Sequence, residues 1–167
     1  MMVKDKTGSV FYNLAAKLIG LIYKVINKDI DVPYLQKKYK AVREMVLEIH
    51  VTHTPVPTKP PVADVRRYFV IKDGKAVMME KAEPDATMWC ELNTMMDMIK
   101  GEVKREYEGR KWTERYTPLD AWAEGKLTVT SPGKTESGWL SDIELLSREI
   151  YSQVFPIIKE KIGNKLP

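Results

Sequence analysis

Apolar residues recur at helical spacing near both ends of the chain. In residues 10–26, VFYNLAAKLIGLIYKVI, one side of a helix would carry Phe11, Ala15, Leu18, Ile22 and Val25. Residues 138–162 predict a second amphipathic helix, with Pro156 bending its end and an apolar stripe of Trp139, Ile143, Leu146, Ile150, Val154 and Ile157. We therefore expect an N-terminal helical extension over residues 8–30 and a C-terminal helix over residues 138–162.

The N-terminal helix has two interpretations. Lys17 and Lys24 interrupt its apolar stretch, which is shorter than the ~20 residues that a membrane span needs. It also lacks the uninterrupted apolar run and small-residue cleavage site of a signal peptide. Its lysines, which include Lys28, suit either docking on its own domain or lying on a membrane surface. We prefer docking on its own domain.

The next segments predict a helix, a strand and a connection. Residues 33–44 are typical of a helix with Pro33 in its first turn. A strand follows over MVLEIHVTH, in which Leu47, Ile49 and Val51 share one face. Residues 54–64, TPVPTKPPVAD, contain four prolines and predict a stiff surface connection between strands.

A two-residue β-hairpin is predicted where Asp73-Gly74 separates two apolar-rich runs. Pairing outward from the turn sets Lys72 opposite Lys75, Ile71 opposite Ala76, Val70 opposite Val77, and Phe69 opposite Met78. One face then carries Phe69, Ile71, Ala76 and Met78, and the other Tyr68, Val70, Val77 and Met79. Because both faces are apolar, we expect the N-terminal helix or a second copy of the protein to cover the second one.

A further strand and helix are predicted between residues 85 and 101. Ala86, Met88, Cys90 and Leu92 share one side of the strand, and Asn93 is the predicted cap of a helix that ends at Gly101. The apolar side of that helix is Leu92, Met95, Met96 and Ile99. Six of the nine methionines lie in residues 78–98, either as core filler or as the flexible lining of a cavity.

Residues 117–130, TPLDAWAEGKLTVT, predict a short helix that passes directly into a strand. Thr117 and Asp120 have the spacing of a capping box, and Pro118 suits the first helical position. Leu119, Trp122 and Ala123 share one side of this helix. Gly125 is expected to end it, and residues 126–130 continue as a strand with Leu127 and Val129 on one face.

Length and charge indicate one domain over residues 1–167 with a moderate positive balance. The net charge is +4, spread along the chain, which is too weak to argue for nucleic acid. Cys90 is the single cysteine, so no internal disulfide can form and we expect a cytoplasmic protein. Its apolar neighbours in a strand favour a packing role over that of a nucleophile.

The sequence offers no catalytic arrangement. It contains neither a glycine-rich phosphate loop nor Gly-x-Ser-x-Gly, and His50 and His53 would point to opposite faces of their strand. Asp85, Asp97 and Asp120 are explained by a turn, a helix surface and a cap. We therefore predict a binding protein without catalytic residues, metal or cofactor.

Two blocks, PDATMWCELNTMMDMIKGE and TPLDAWAEGKLTV, together resemble the sterol carrier protein 2 family. The matching residues are Asp85, Ala86, Thr87, Gly101, Pro118, Ala121, Trp122, Gly125, Lys126 and Leu127. The hairpin YFVIKDGKAVMM also fits, so the resemblance covers roughly residues 40–130. It implies an α+β fold in which helices pack on a mixed five-stranded sheet, with an apolar tunnel between the layers. Family members bind fatty acids, fatty acyl-CoA, sterols or phospholipids and generally lack catalysis.

The chain departs from the family pattern in three places. It has the N-terminal helix, a different ending after the last strand (SPGKTESGW), and an insertion over residues 102–117. In the insertion, basic residues interleave with Tyr107, Trp112 and Tyr116, but four glutamates reduce its excess to about one positive charge. We favour a solvated helix or loop there. A lid or CoA-phosphate contact and a nucleic-acid surface are the alternatives, in that order.

The predicted function is therefore carriage of a lipid or acyl-CoA in an apolar tunnel. Assigning the strand faces gives the expected lining: Phe69, Met78, Met88, Met95, Ile99, Trp122, Leu127 and Val129. The C-terminal helix would then be core, a closure of the tunnel, or a contact for a partner helix or second subunit. The alternative function is a protein-interaction or dimerisation module that serves a partner enzyme without carrying lipid. We expect no nucleic-acid partner, and we keep open a transient membrane-surface contact and a homodimer.

Overall fold

The computed structural model describes residues 6–53, 64–130 and 139–166, with side chains throughout except at residues 6–10 and 139–141. The proline-rich segment 54–63, the ending 131–138 and the Trp139 side chain lie outside these described parts. In chain order, the elements are α1 (Lys6–Asp29), α2 (Val32–Lys38), β1 (Met45–Thr52), β2 (Val65–Lys72), β3 (Lys75–Met79), β4 (Ala86–Glu91), α3 (Leu92–Lys100), β5 (Glu102–Tyr107), β6 (Arg110–Arg115), α4 (Pro118–Ala123), β7 (Leu127–Thr130), α5 (Trp139–Ile162) and a 3₁₀ turn (Gly163–Lys165).

Five strands form a mixed sheet in the order β3-β2-β1-β4-β7. The β1–β4 pair is parallel and the other three pairs are antiparallel. The predicted α+β class with a mixed five-stranded sheet is therefore confirmed. Strand β7 lies at one edge of the sheet and β3 at the other.

The β2–β3 hairpin has the predicted register, from Lys72 opposite Lys75 to Phe69 opposite Met78. Its two turn residues, Asp73 and Gly74, both have positive φ angles, of 52° and 77°. A two-residue turn with this geometry matches the right-handed twist of the flanking strands. The turn chemistry therefore fixes the register, as the sequence predicts.

The helices α1, α3 and α5 cover one face of the sheet. Alternate strand residues point into this layer and are buried, among them Leu47, Ile49, Val51, Phe69, Ile71, Ala86, Met88, Cys90, Leu127 and Val129. The predicted apolar side of α1 is buried from Phe11 to Val25, and the ring of Tyr23 stacks on that of Phe69 with 6.1 Å between their centroids. The preferred interpretation, that the N-terminal helix docks on its own domain, is confirmed.

The opposite face of the sheet, which we call the open face, is not covered by α1. Val77 and Met79 are 56% and 46% exposed there, and Val70 is half-buried. The expectation that the N-terminal helix covers this second apolar face is wrong, because α1 packs on the Phe69 side. A second copy remains the candidate cover.

Two helices differ from their predicted bounds. Helix α2 ends at Lys38, earlier than predicted, because Lys40 takes a positive φ of 56° and the buried amide of Gln36 donates to the carbonyls of Ala41 and Arg43. Helix α3 begins at Leu92 directly after β4, so Asn93 lies inside the helix and is not its cap. The predicted end at Gly101 is confirmed by its left-handed conformation.

The inserted segment forms an antiparallel hairpin of β5 and β6, so the expected solvated helix or loop is wrong. Its turn residues, Glu108 and Gly109, have positive φ angles of 47° and 80°, the same combination as in the β2–β3 turn. Glu-Gly is a less familiar signal for this turn than Asp-Gly or Asn-Gly. The backbone bond from the Tyr116 amide to the Gly101 carbonyl, 2.9 Å long, closes the base of the hairpin.

Candidate functional site

The predicted lining residues lie in three places. Phe69, Met88, Met95 and Ile99 are at most 1% exposed, in the core between the sheet and the helices. Trp122, Leu127 and Val129 line an open groove at the β7 edge. Met78 lies at the opposite edge, on β3, and is 38% exposed.

Strand pairing connects these places across the covered face. Val129 is the register partner of Met88, and Phe69 is the register partner of Met78. Directly opposed residues of an antiparallel pair lie on the same face of the sheet. The predicted set therefore extends across the covered face from one edge strand to the other.

The groove lies between the short helix α4 and strand β7, with one residue of α5 beside them, and has a volume of about 520 Å³. Its lining consists of Leu119, Trp122, Ala123, Leu127, Thr128, Val129, Thr130 and Arg148. The same side of α4 that the sequence singles out, Leu119, Trp122 and Ala123, thus faces the groove. Leu119 is 72% exposed.

Local sequence builds this corner. Thr117 and Asp120 form the predicted capping box, with Pro118 as the first helical residue. The amides of Gly125 and Lys126 donate to the carbonyls of Trp122 and Ala121, at 3.0 and 2.9 Å, which reverses the chain into β7. Because α4 and β7 are joined by this tight turn, Trp122 is held beside Leu127.

The polar groups of the groove are mainly hydrogen-bond donors. The Arg148 guanidinium lies over the Trp122 ring, 5.9 Å from its centroid, and has no ion pair among the residues that the structure describes. The indole Nε1–H of Trp122 is buried and has no acceptor within the described part of the chain. A buried donor without an acceptor costs about 1–3 kcal/mol. None of the described lining residues is a carboxylate, so the exposed guanidinium of Arg148 favours an acceptor or an anion.

A cluster of charged residues lies behind α4. Arg105 donates to Glu114 through Nε at 2.7 Å and to Glu124 through Nη2, and the Tyr116 hydroxyl donates to Glu124 at 3.0 Å. Burial opposes ionisation of Glu124, but the hydrogen bonds from Arg105 and Tyr116 prevail and lower its pKa. This cluster fixes the base of the β5–β6 hairpin to the helix that lines the groove.

Among the described residues, the titratable side chains outside the groove include a buried thiol and two histidines with separate partners. Burial raises the pKa of the Cys90 thiol to about 12. His50 binds Asp64 at 2.8 Å, whereas the ring of His53 contacts that of Phe11 edge-on, with 4.8 Å between centroids. No group of three metal-ligating side chains occurs in the described ranges. Likewise, none of the described helices is long and apolar enough to cross a membrane.

Arg148 and Leu119 are groove residues that sequence reasoning did not assign. Leu119 carries a signal, because it lies on the same side of α4 as Trp122. Arg148 carries no such signal, because it lies 26 positions after Trp122 and reaches the groove only through the packing of α5. Its position depends on tertiary structure alone.

No protein-family model matches the chain, and no curated protein matches it. Among solved structures, it is similar to the sterol carrier protein domain 2 of Helicoverpa armigera, with 18% identity over 81% of this chain and 86% of that one and a TM-score of 0.46. A sterol carrier protein 2 crystal structure gives 19% identity over 81% and 91% of the two chains and a TM-score of 0.46. The ubiquinone synthesis protein UbiJ-SCP2 gives 11% identity over 83% and 96% and a TM-score of 0.40.

These solved structures include domains of the family that residues 40–130 resemble in sequence. Similarity at this level carries no information about ligand or activity.

Proposed function

We propose that the chain binds and carries a hydrophobic ligand, as a non-catalytic domain of the sterol carrier protein 2 type. The observation that carries this proposal is the open groove at the β7 edge, lined by apolar side chains and continuous in register with the buried lining residues. The ligand classes are those that the sequence motifs imply: a fatty acid, a fatty acyl-CoA, a sterol-like molecule or another lipid.

The driving force for uptake is burial of the apolar part of the ligand. Each methylene removed from water contributes about 0.8 kcal/mol, so ten offer roughly 8 kcal/mol before the costs of ordering are subtracted. In this proposal the apolar part contacts Trp122, Leu127 and Val129. It then extends towards Met88 and Met95, whose unbranched, flexible side chains can adapt to it.

The polar end of the ligand would lie at Arg148. The Arg148 guanidinium is an exposed donor, and charge-assisted hydrogen bonds to a carboxylate are stronger than neutral ones. Within the proposed ligand classes, this favours an acid over a neutral sterol. The proposal involves no reactive side chain.

Titration with a fluorescent fatty acid tests the proposal. We expect Trp122→Ala to weaken uptake about tenfold or more, since it removes a large part of the apolar wall. The matched control is Tyr34→Ala, an exposed aromatic residue of α2 that does not line the groove, and this variant should bind as the unaltered protein does. Arg148→Ala should weaken binding of the acid about tenfold but leave binding of the alcohol of equal chain length nearly unchanged.

Two results would contradict carriage. The first is a purified protein that takes up none of these probes and releases no amphiphile on denaturation, as judged by mass spectrometry. The second is equal affinity in the Trp122→Ala variant. Circular dichroism checks that each variant is folded.

A second candidate function is an interaction or dimerisation module that serves a partner enzyme. The observation that favours it is the apolar corner of the open face, where the register aligns Val46, Val70 and Val77. Exposed apolar patches on soluble proteins commonly mark contact sites. If a second copy covers this corner, sedimentation velocity should show a dimer that Val77→Lys converts to a monomer.

A further inference from the structure

The β5–β6 hairpin, residues 102–115, is named the arm. Every residue of β6 is exposed, and in β5 only Val103 is buried. Strand β5 packs beside α3, and the arm forms its own two-stranded sheet, separate from the main one. A hairpin this exposed contributes little to the core.

One face of the arm combines two exposed aromatic side chains with an arginine. Tyr107 pairs with Arg110, and Arg105 pairs with Trp112, so these residues share a face. Tyr107 is 67% and Trp112 42% exposed. With Arg110 they line a cleft of about 260 Å³. We call this surface the aromatic face.

The carboxylate on the aromatic face is already bound. Arg105 forms ion pairs with Glu114 and with Glu124, which follows α4. Arg110, the other arginine of the aromatic face, has no ion pair among the described residues. The opposite face carries Lys104, Lys111 and Arg115 together with Glu102 and Glu106, and Glu108 lies in the turn. The arm has five basic and four acidic residues, so its net charge is +1.

We propose that the aromatic face docks on the surface of a phospholipid bilayer that contains anionic lipid. Tryptophan and tyrosine have an apolar ring and one polar group, which suits the boundary between headgroups and acyl chains. Arg110 supplies the positive charge that an anionic headgroup attracts. The small net charge fits a reversible contact with lipid better than binding to nucleic acid, which requires many phosphate contacts.

The attachment of the arm gives this contact a defined orientation. The Arg105 hydrogen bonds and the Tyr116–Gly101 backbone bond hold the base of the arm against α3 and α4. Helix α4 also lines the groove, so docking would bring the groove close to the membrane. The docking inference rests on the arm alone and does not require the groove to bind lipid.

Co-sedimentation with vesicles tests the inference on the full chain. One set of vesicles is phosphatidylcholine alone, and the other contains about one-third phosphatidylglycerol. We expect the unaltered protein to pellet with the mixed vesicles, and the double variant Tyr107→Ser, Trp112→Ser to lose about tenfold in partition coefficient, or about 1.4 kcal/mol. Arg110→Glu should weaken binding to the mixed vesicles and should leave the partition into phosphatidylcholine vesicles unchanged.

The matched control is Tyr34→Ser, which removes an exposed tyrosine from α2 and should leave vesicle binding unchanged. Circular dichroism verifies the fold of each variant. An unaltered protein that stays in the supernatant with both vesicle types would overturn the inference, as would a double variant that pellets normally. Binding of a single-stranded oligonucleotide instead of vesicles, lost in the same variants, would assign the face to nucleic acid.

Discussion

Cys90 shows how burial removes reactivity from a potentially nucleophilic side chain. It lies in β4 with 0% exposure, and the phenol of Tyr151 on α5 is close enough to interact with its thiol. Desolvation disfavours the thiolate, and the charge of Glu91 adds to the effect. The sequence-based interpretation of Cys90 as a packing residue agrees with this environment.

The raised pKa of Cys90 predicts a specific pH dependence of stability. The unfolded thiol loses its proton near pH 9 and the folded one near pH 12. Between these values the unfolded chain binds fewer protons, so the free energy of unfolding falls as pH rises, by up to about 1.4 kcal/mol per unit. Urea denaturation from pH 8 to 12 should show this slope reduced in Cys90→Ala, and parallel curves would contradict the assignment.

Gly74 is required for space as well as for conformation. It has a φ of +77°, and a Cβ added there would lie 2.6 Å from Cγ of Pro33. Gly109 in the arm has nearly the same φ, +80°, but no atom of the described residues lies within 4 Å of such a Cβ. The two glycines therefore separate the backbone requirement from the packing requirement.

Alanine at the two positions should destabilise the protein unequally. Gly109→Ala is expected to cost about 1–2 kcal/mol from the left-handed conformation alone. Gly74→Ala should cost about 1–3 kcal/mol more, because Pro33 and the hairpin must move apart. Chemical denaturation measures the free energy of unfolding of both variants. Equal decreases would contradict the packing requirement, since they would show that Pro33 can move without destabilising the protein.

At the scale of elements, α1 protects the edge strand β3. The Asn27 side chain accepts a hydrogen bond from the Ala76 amide and donates to the Ala76 carbonyl, both at 2.9 Å. It therefore occupies the backbone groups that an additional strand would use. Unprotected edges promote pairing between chains, so Asn27 guards against edge-to-edge association.

Asn27→Ala should remove this protection. We expect a loss of about 1–3 kcal/mol, since the Ala76 backbone groups lose their partner, and increased self-association at high protein concentration. Asn13→Ala, at an exposed position of the same helix, makes the same chemical change away from the edge. Light scattering and denaturation should distinguish the two variants, and identical behaviour would refute a protective role.

At the scale of the whole molecule, α1 and the arm contribute very differently to the fold. The buried side of α1 packs against α5 and the β2–β3 hairpin. The arm instead leaves the core at Gly101 and returns at Tyr116, whose backbones are hydrogen-bonded to each other. One element completes the core, whereas the other is attached to it.

Deleting each element should reveal this difference. A chain that begins at Ile30 loses the apolar side of α1, and each fully buried side chain is worth about 1.5–3 kcal/mol, so cooperative unfolding should be lost. Replacing residues 102–115 with two glycines should preserve a sharp thermal transition. Differential scanning calorimetry tests both, and a sharp transition in the shortened chain would contradict the role of α1.

Short-range patterns in the sequence determined much of the fold. Alternation assigned the buried faces of β1, β2, β4 and β7, and Asp73-Gly74 set the hairpin register. Thr117, Pro118 and Asp120 set the start of α4. These features depend on residues close together in the chain, where turn geometry and helix capping act without help from distant parts.

Only the tertiary structure decided the groove, the arm and the open face. Arg148 meets Trp122 through packing of α5 against α4, and Asn27 meets Ala76 across 49 positions of sequence. Three of the eight predicted lining residues lie in the groove. The alternation of a strand shows which residues point towards the helices, but it does not show where the sheet and the helices separate to form a groove. Contacts between distant segments follow from topology, which local periodicity does not encode.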